Sequence, residues 1–562
     1  MSERREHSYI KTLKEQFAEG RIPRREFLRT ATLLGLSAGA AYAFVGEVTG
    51  EGAAPEAQAQ DMPMGGTLRV ALRTIDIKNP HTFSWVIDRN ICCGTLEYMT
   101  KTGTDNVTRP WLVESWEASD DLKTWTMHVR QGITWQNGRA FTADDCIWNI
   151  KHCLDDATGS SVQGLMKGYM LEEYDTGEKD ENGNAKMATR LWAENAIEKI
   201  DDYTFRLNCK EPQLAVPEHF FHYPFMIQDP EDGGIFGPGK NGTGAFTLES
   251  IEVGKRAVLK KVRDHWSGKG PYLDTIELID NGDDAGANLA SMAAKQVNFV
   301  DDPDIMQLPA YQNMEHVQIL TANTAQTAVA RLRRGEHPLA DDPRIAKAMR
   351  MAVDSASILL SSHSNLGAPG EHHHVAPIHP EYAKLPEWKR DPEGAKALLA
   401  EAGHPDGIDL EINCKPDPGW ELAAVQGMVE QWKEAGIRVK INVMPSAQYW
   451  EVWDKAPFSF TPWTHRPLGV MVLGLAYRSG VPWNEANFNN KKFDELLTKA
   501  EGILDVEERR KVMAEIETLM QEEGPIIQPV WRAIYTAADK KVLGLVTHPT
   551  GYYFWEDYAI QA

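Results

Sequence analysis

The chain has 562 residues, too many for one hydrophobic core, so two or three domains are expected. Its formal charge of −22 sets up a field that repels phosphate, which disfavours nucleic acid and anionic lipid as partners. Hydrophobic (42%) and charged (25%) shares are those of a soluble globular protein, and no run beyond the N-terminal region approaches the 18 apolar residues of a membrane span.

In chain order, the first feature is Arg24-Arg25-Glu26-Phe27-Leu28-Arg29, which resembles a twin-arginine export signal. An apolar stretch from Ala31 to about Gly46 follows, too short and too rich in Gly and Ala to span a bilayer. Ala57-Gln58-Ala59 then offers a small-x-small site for signal peptidase, with Gln60 as the first mature residue. No cysteine follows closely enough to be lipidated, so the expected product is a soluble, freely diffusing periplasmic protein. The first 59 residues hold equal numbers of acidic and basic groups, so cleavage leaves the net charge unchanged. Cys92, Cys93, Cys146, Cys153, Cys209 and Cys414 form no C-x-x-C pattern, and their pairing stays open.

Gly65 to Leu72 reads as a glycine-started strand, and alternation marks further strands at 124–129 and 203–207. Helical periodicity dominates later, at 344–352, 392–402, 422–435 and 506–523, with strands at 408–412 and 437–443 between. That alternation predicts an α/β second half with sheets covered by helices.

Six segments then fall in a characteristic order. Pro110-Trp111-Leu112-Val113-Glu114-Ser115-Trp116 runs through Asp120-Asp121-Leu122-Lys123-Thr124-Trp125 to Trp135-Gln136-Asn137-Gly138 and Phe141-Thr142-Ala143-Asp144-Asp145. Asn137-Gly138 is a hairpin-turn signal, and Thr142 with Asp145 forms a capping-box pattern. Gly242-Thr243-Gly244-Ala245-Phe246, Arg263-Asp264-His265-Trp266, Asp342-Pro343-Arg344, Asp391-Pro392-Glu393-Gly394-Ala395 and Gln431-Trp432-Lys433-Glu434-Ala435-Gly436 complete the set. Together they resemble the family 5 extracellular solute-binding proteins, the receptors for dipeptides, oligopeptides and nickel.

The resemblance implies an α/β, two-lobed periplasmic binding protein fold (type II, large, with an extra subdomain) hinged between its lobes. It places subdomain I of the first lobe at 60–95, 235–322 and 535–562, subdomain II at 96–234, and the second lobe at 323–534. In the family signature a Trp-ended helix precedes the hairpin, so a helix is expected to end at Trp116. The implied function is capture of a small organic solute by lobe closure and delivery to an ABC permease and ATPase complex. The expected solute is peptide-like, opine-like, anionic or polyhydroxylated, and the receptor is expected to be a monomer that needs no cofactor or metal and meets the twin-arginine translocase only during export.

Peptide-binding relatives carry an aspartate late in the second lobe that pairs with the peptide amino group. The comparable stretch, Phe460 to Gly469, has no aspartate and presents Trp463, His465 and Arg466 instead. Arg466 is expected either to clamp an anion bidentately or to form a structural ion pair. Arg478 is expected as a second anion contact, ranked after Arg466, and Trp420, Trp463, Tyr477 and Trp483 are rings that either stack on a ligand or pack the core. Glu371-His372-His373-His374 with His379 reads as a solvated or cleft-edge loop, with a nickel or metal-chelate site as the alternative. A twin-arginine-exported redox enzyme is the rival class, but no nucleotide-binding, Walker, zinc-protease or hydrolase motif supports it. A chaperone-like or sensory relative would bind a partner in place of feeding a permease.

Overall fold

The computed structural model describes residues 6–50, 62–179 and 185–561. The proposed cleavage site at Ala57-Gln58-Ala59 lies outside the described residues. A single twelve-stranded sheet runs through the molecule, and two long antiparallel strands, Val317–Leu332 and Val530–Asp539, cross its middle. Thr67–Ala71, Thr275–Ile279 and Phe299–Asp301 pair in parallel on one side, with the hairpin Phe246–Glu252/Arg256–Lys261 closing the edge. On the other side Phe458–Trp463 pairs antiparallel to Val317–Leu332 and leads to the parallel pair Ile408–Cys414/Ile437–Val443. The register between the two crossing strands shifts between Ala322 and Gln326, so the ladder is interrupted where the chain passes from one half to the other.

The parallel pair in the second half arises from local sequence. Ile408, Leu410 and Ile412 alternate toward the core while Asp409 and Glu411 face water. The helix Gly419–Glu434 between the two strands buries Trp420, Val425, Met428 and Trp432 against them, which gives a βαβ unit. Helices Pro343–Met351, Pro392–Glu401 and Val506–Glu523 start at Asp342, Asp391 and Asp505, whose carboxylates accept from backbone amides of the first turn.

A second sheet, in the strand order Val113–Ala118, Thr124–Val129, Thr204–Asn208, Ile197–Asp201, builds the extra subdomain with helices Ala143–Leu154 and Val162–Met170. The capping box forms as its residues predict, Thr142 N donating to Asp145 Oδ2 at 2.8 Å. Gly138 takes φ +89°, and Trp135 N donates to Arg139 O at 2.8 Å across the Asn137-Gly138 turn. The helix expected before Trp116 is absent. Val113–Ala118 is a strand paired with Thr124–Val129, because this segment recovers the sheet ladder while burying Val113 and Trp116. All six cysteines are free and buried. Among the described residues no helix is long and apolar enough to cross a membrane.

Residues 6–50 are structured. Helices Tyr9–Ala18, Arg24–Leu33 and Ala38–Thr49 pack onto the body, with Phe17, Phe27 and Val45 joining the main hydrophobic core.

Candidate functional site

A cavity of about 150 Å³ lies where the two halves of the large sheet meet, walled by loops from both. Its apolar wall is built from tryptophan. Trp85, from the first half, stacks on Trp450 of helix Ser446–Val452 with centroids 5.8 Å apart and planes 24° from parallel. Trp453, Trp463 and Trp483 form an edge-to-face triad with spacings of 5.8 to 6.2 Å, and Tyr223 leans on Trp483 at 5.4 Å. Trp420 lies under the Arg532 guanidinium, 5.0 Å from it. The indole N–H groups of Trp420 and Trp450 are buried and have no hydrogen-bond partner among the described residues.

Trp463 is fixed from behind. Its Nε1 donates to Glu485 Oε1 at 2.7 Å, and Glu485 also accepts from Thr461 Oγ1 (2.6 Å) and Arg331 Nε (3.0 Å). Glu485 and Arg331 are both fully buried. Burial pushes the Glu485 carboxyl up from its ordinary range, and Arg331 opposes that rise.

Arg466 follows the end of strand Phe458–Trp463. Its Nη1 donates to Thr464 Oγ1 (2.6 Å), Thr464 O (3.3 Å) and His465 O (2.9 Å), which locks the side chain back onto its own loop. The guanidinium carbon is 5.5 Å from the Tyr223 ring centre. Nε is buried without a partner, and no carboxylate among the described residues is paired with this arginine. The side chain is only 4% exposed, so the cavity holds a desolvated cation with donors to spare.

The other charges on the wall are compensated, with one exception. Arg532 forks onto Asp302 at 2.6 and 2.7 Å, Lys415 pairs with Glu421 at 2.5 Å, and Arg73 pairs with Asp280 and Asp283. Asp301 accepts from the Tyr553 hydroxyl, and burial raises its carboxyl to about 7. Asp304 accepts from Met306 N at 2.8 Å. The exception is Asp417, whose carboxylate has neither ion pair nor hydrogen bond among the described residues; burial raises it to about 6. Arg466 is therefore the cation of the wall with no carboxylate partner among the described residues, and Asp417 the acid there with neither ion pair nor hydrogen bond.

The sequence-derived candidates divide. Arg466, Trp463, Trp483 and Trp420 line the cavity. Arg478, Tyr477 and His465, expected as ligand contacts, are not among its lining residues. Arg478 forks onto Glu501 with two bonds of 2.7 Å and reaches Thr498 at 3.1 Å, so its charge is spent inside the fold. The Tyr477 hydroxyl meets His374 Nδ1 at 2.6 Å in a buried contact. His465 Nδ1 accepts from Ala325 N (2.9 Å) beside the register shift of the crossing strands, which leaves Nε2–H to donate to Asn106 Oδ1 (2.9 Å) in the first half. Burial holds this imidazole neutral, its pKa well below the ordinary value. His465→Ala is expected to destabilise the protein by about 1–3 kcal/mol, measured by urea unfolding, because both buried partners lose their bonds.

His372, His373, His374 and His379 are buried, which overturns the expectation of a solvated or cleft-edge loop. His372 Nδ1 accepts from Gln528 N at 3.0 Å, and His379 Nε2 holds the Arg466 carbonyl at 3.0 Å. Among the described residues no group of three or more potential ligands could hold a metal ion. Trp85, Tyr223, Trp450 and Asp417 line the cavity, and Glu485 supports it through Trp463; all escaped sequence reasoning, because nothing local distinguishes them from core or surface residues of the same type.

Two lobes sharing a crossing pair of strands, with an aromatic cavity at the seam, define a solute-binding receptor that works by closure. The sequence model described as "Bacterial extracellular solute-binding proteins, family 5 Middle" matches residues 107–474, and the chain belongs to this family. Heme-binding protein A of Haemophilus influenzae is 24% identical over 488 residues, covering 80% of this chain and 84% of that protein. Dipeptide-binding protein DppE of Bacillus subtilis is 25% identical over 558 residues, covering 92% and 97%. Among solved structures, AgaA from Agrobacterium ("A.tumefacien R10"), in complex with agropinic acid, superposes with a TM-score of 0.77 at 20% identity, covering 88% and 99%. DppA of Helicobacter pylori, in complex with the peptide STSA, gives 0.75 at 17% identity, covering 89% and 99%. The protein is a substrate-binding receptor of the kind that serves ABC importers, and the fold is that of the family.

Proposed function

We propose that this receptor captures a small amphoteric or anionic organic solute, whose acidic group is clamped by Arg466 and whose flat or apolar body lies along the tryptophan wall. The observation that carries the reading is Arg466, a buried guanidinium in the cavity with no carboxylate of its own. Guanidinium geometry matches a carboxylate, sulfonate or phosphate, and a desolvated cation binds such a group far more strongly than water would allow. Asp417 supports a second, cationic group on the same ligand. The receptor takes part in no covalent step. It is exported by the twin-arginine translocase, cleaved near Ala59, acts in the periplasm as a monomer, and passes its solute to the permease and ATPase complex.

A thermal-shift screen over dipeptides, opines, dicarboxylates, sugars and nickel tests this. A true ligand at 100 times its Kd adds about 2.7 kcal/mol of stability. Amphoteric and anionic compounds are expected to shift the melt, and a response confined to neutral sugars or to nickel would sink the reading.

The two charged contacts predict different pH behaviour. Anion capture by a guanidinium is flat between pH 5 and 8. Asp417 faces Lys415 and Arg73, which favour its carboxylate, and Asp301, Asp302, Asp304 and Glu421, which oppose it. Its carboxyl titrates near 6, so affinity for a cationic group rises with pH through that value and is lost below it. Titrations of an amphoteric ligand and a purely anionic one at pH 5 and pH 7.5 should differ in this sense.

A further inference from the structure

The three N-terminal helices lie across the seam between the lobes. Every residue from Glu26 to Leu33 is buried. Arg29 donates to Glu26 at 3.2 and 3.1 Å and to Glu218 at 3.2 Å, while Arg509 donates to Glu26 at 3.4 Å. Glu218 sits on helix Val216–His219 of the first lobe, and Arg509 on helix Val506–Glu523 of the second. None of these four side chains is more than 4% exposed.

Contacts on either side follow the same division. On the first lobe, Trp116 Nε1 donates to Leu33 O at 2.8 Å, and the Tyr42 hydroxyl donates to Asp105 at 2.8 Å and accepts from Arg109 at 3.1 Å. On the second, Gln16 and Tyr9 reach Asp505 at 2.7 and 3.5 Å. Gly35 takes φ +90°, and a Cβ there would lie 2.8 Å from the Trp116 carbonyl, so the turn between the last two helices is shaped to fit the body. Stacking of Phe17 on Phe27 (4.9 Å), with Phe44 5.3 Å from Phe27, gives the segment its own small core.

We propose that residues 9–49 act as a strap that holds the two lobes shut over the cavity for as long as it stays attached, with Glu26, Arg29, Glu218 and Arg509 as its latch. Glu26 is tied to the second lobe and Arg29 to the first. Parting the lobes under a docked strap must therefore break one of two buried ion pairs, and a buried charge that loses its partner is strongly disfavoured. The unprocessed chain is thus held closed, and removal or undocking of the strap frees the hinge. Solute exchange becomes contingent on processing. The same docking buries the helix that carries Arg24 and Arg25, so recognition of the twin-arginine pair competes with closure. The strap itself depends on neither the chemistry of the solute nor the export route.

The test uses the full chain. Spin labels on Asn137→Cys and Lys440→Cys, one exposed position on each lobe, report the interlobe distance by double electron–electron resonance; the six native cysteines are buried. Hydrogen exchange of residues 24–33 reports docking. The unaltered leader should give one narrow distance population and slow exchange. Glu26→Gln and Arg29→Gln leave the body sequence intact; each should broaden the distances toward an open form and speed exchange at least about tenfold. Arg29→Glu combined with Glu218→Arg should restore closure. An unchanged distance distribution in Arg29→Gln, whatever the exchange rate, overturns the proposal, as does unprotected exchange of residues 24–33 in the unaltered chain.

Discussion

Arg466→Ala is expected to remove ligand-induced stabilisation while leaving the unliganded protein close to its original stability. The guanidinium spends Nη1 on its own loop, its Nε is buried without a partner, and among the described residues no acid of the fold depends on it. Truncating one partner of a buried, hydrogen-bonded charge pair costs about 2–5 kcal/mol of binding, roughly a 30-fold to several-thousandfold loss of affinity. At a concentration of 100 times the original Kd, a hundredfold loss cuts the stabilisation from about 2.7 to about 0.4 kcal/mol. Arg466→Lys keeps the charge but not the planar fork, so it should fall between the two. Isothermal titration alongside thermal shift checks both effects. An ordinary dipeptide that bound equally well to wild type and Arg466→Ala would show that the arginine is no part of the ligand clamp.

Glu485→Ala is expected to have the larger effect on the fold. It strips the ion pair from Arg331, which is fully buried and otherwise bonded to the carbonyls of Ala456 and Trp453. Breaking a buried pair by removing one partner costs about 3–5 kcal/mol, a large part of the 5–15 kcal/mol that holds a typical domain together. It also frees the Trp463 indole, whose N–H loses its 2.7 Å acceptor, so ligand affinity should fall with stability. Glu485→Gln keeps an acceptor for Trp463 but not the charge, and should lower stability more than affinity. Joint replacement, Arg331→Met with Glu485→Leu, should destabilise less than the sum of the single changes, since no buried charge is then left alone. Urea midpoints of the wild type, each single variant and the double variant decide the matter; single variants within about 1 kcal/mol of wild type would show that the pair is dispensable.

The two variants separate roles that lie a few ångströms apart. Arg466 has no acid of the fold as its partner among the described residues; Glu485 is fully used by the fold and bears on the cavity wall through Trp463. The same contrast explains the failure of Arg478 as a candidate. In sequence it matches Arg466 in type and neighbourhood, and only its bidentate bond to Glu501 takes it out of the site.

Where local patterning dictates structure, the sequence alone was sufficient. Alternation produced the strands at Thr67–Ala71, Ile408–Cys414 and Ile437–Val443, and capping aspartates with apolar periodicity set the helices at Pro343–Met351 and Val506–Glu523. The ordered motifs carried family membership, hence two lobes and a solute receptor. The tertiary structure alone decided what depends on partners distant in sequence. Val113–Ala118 became a strand because Thr124–Val129 was there to pair with it. The histidines at 372–374 were buried, contrary to the appearance of a polar loop, because Gln528 and Tyr477 came to meet them. Which arginine is left without an acid is a property of the whole arrangement of charges. A side chain's type is written locally, but its electrostatic balance is settled by residues that only folding brings within 4 Å, and that balance leaves Arg466 without an acid and Asp417 without an ion pair among the described residues.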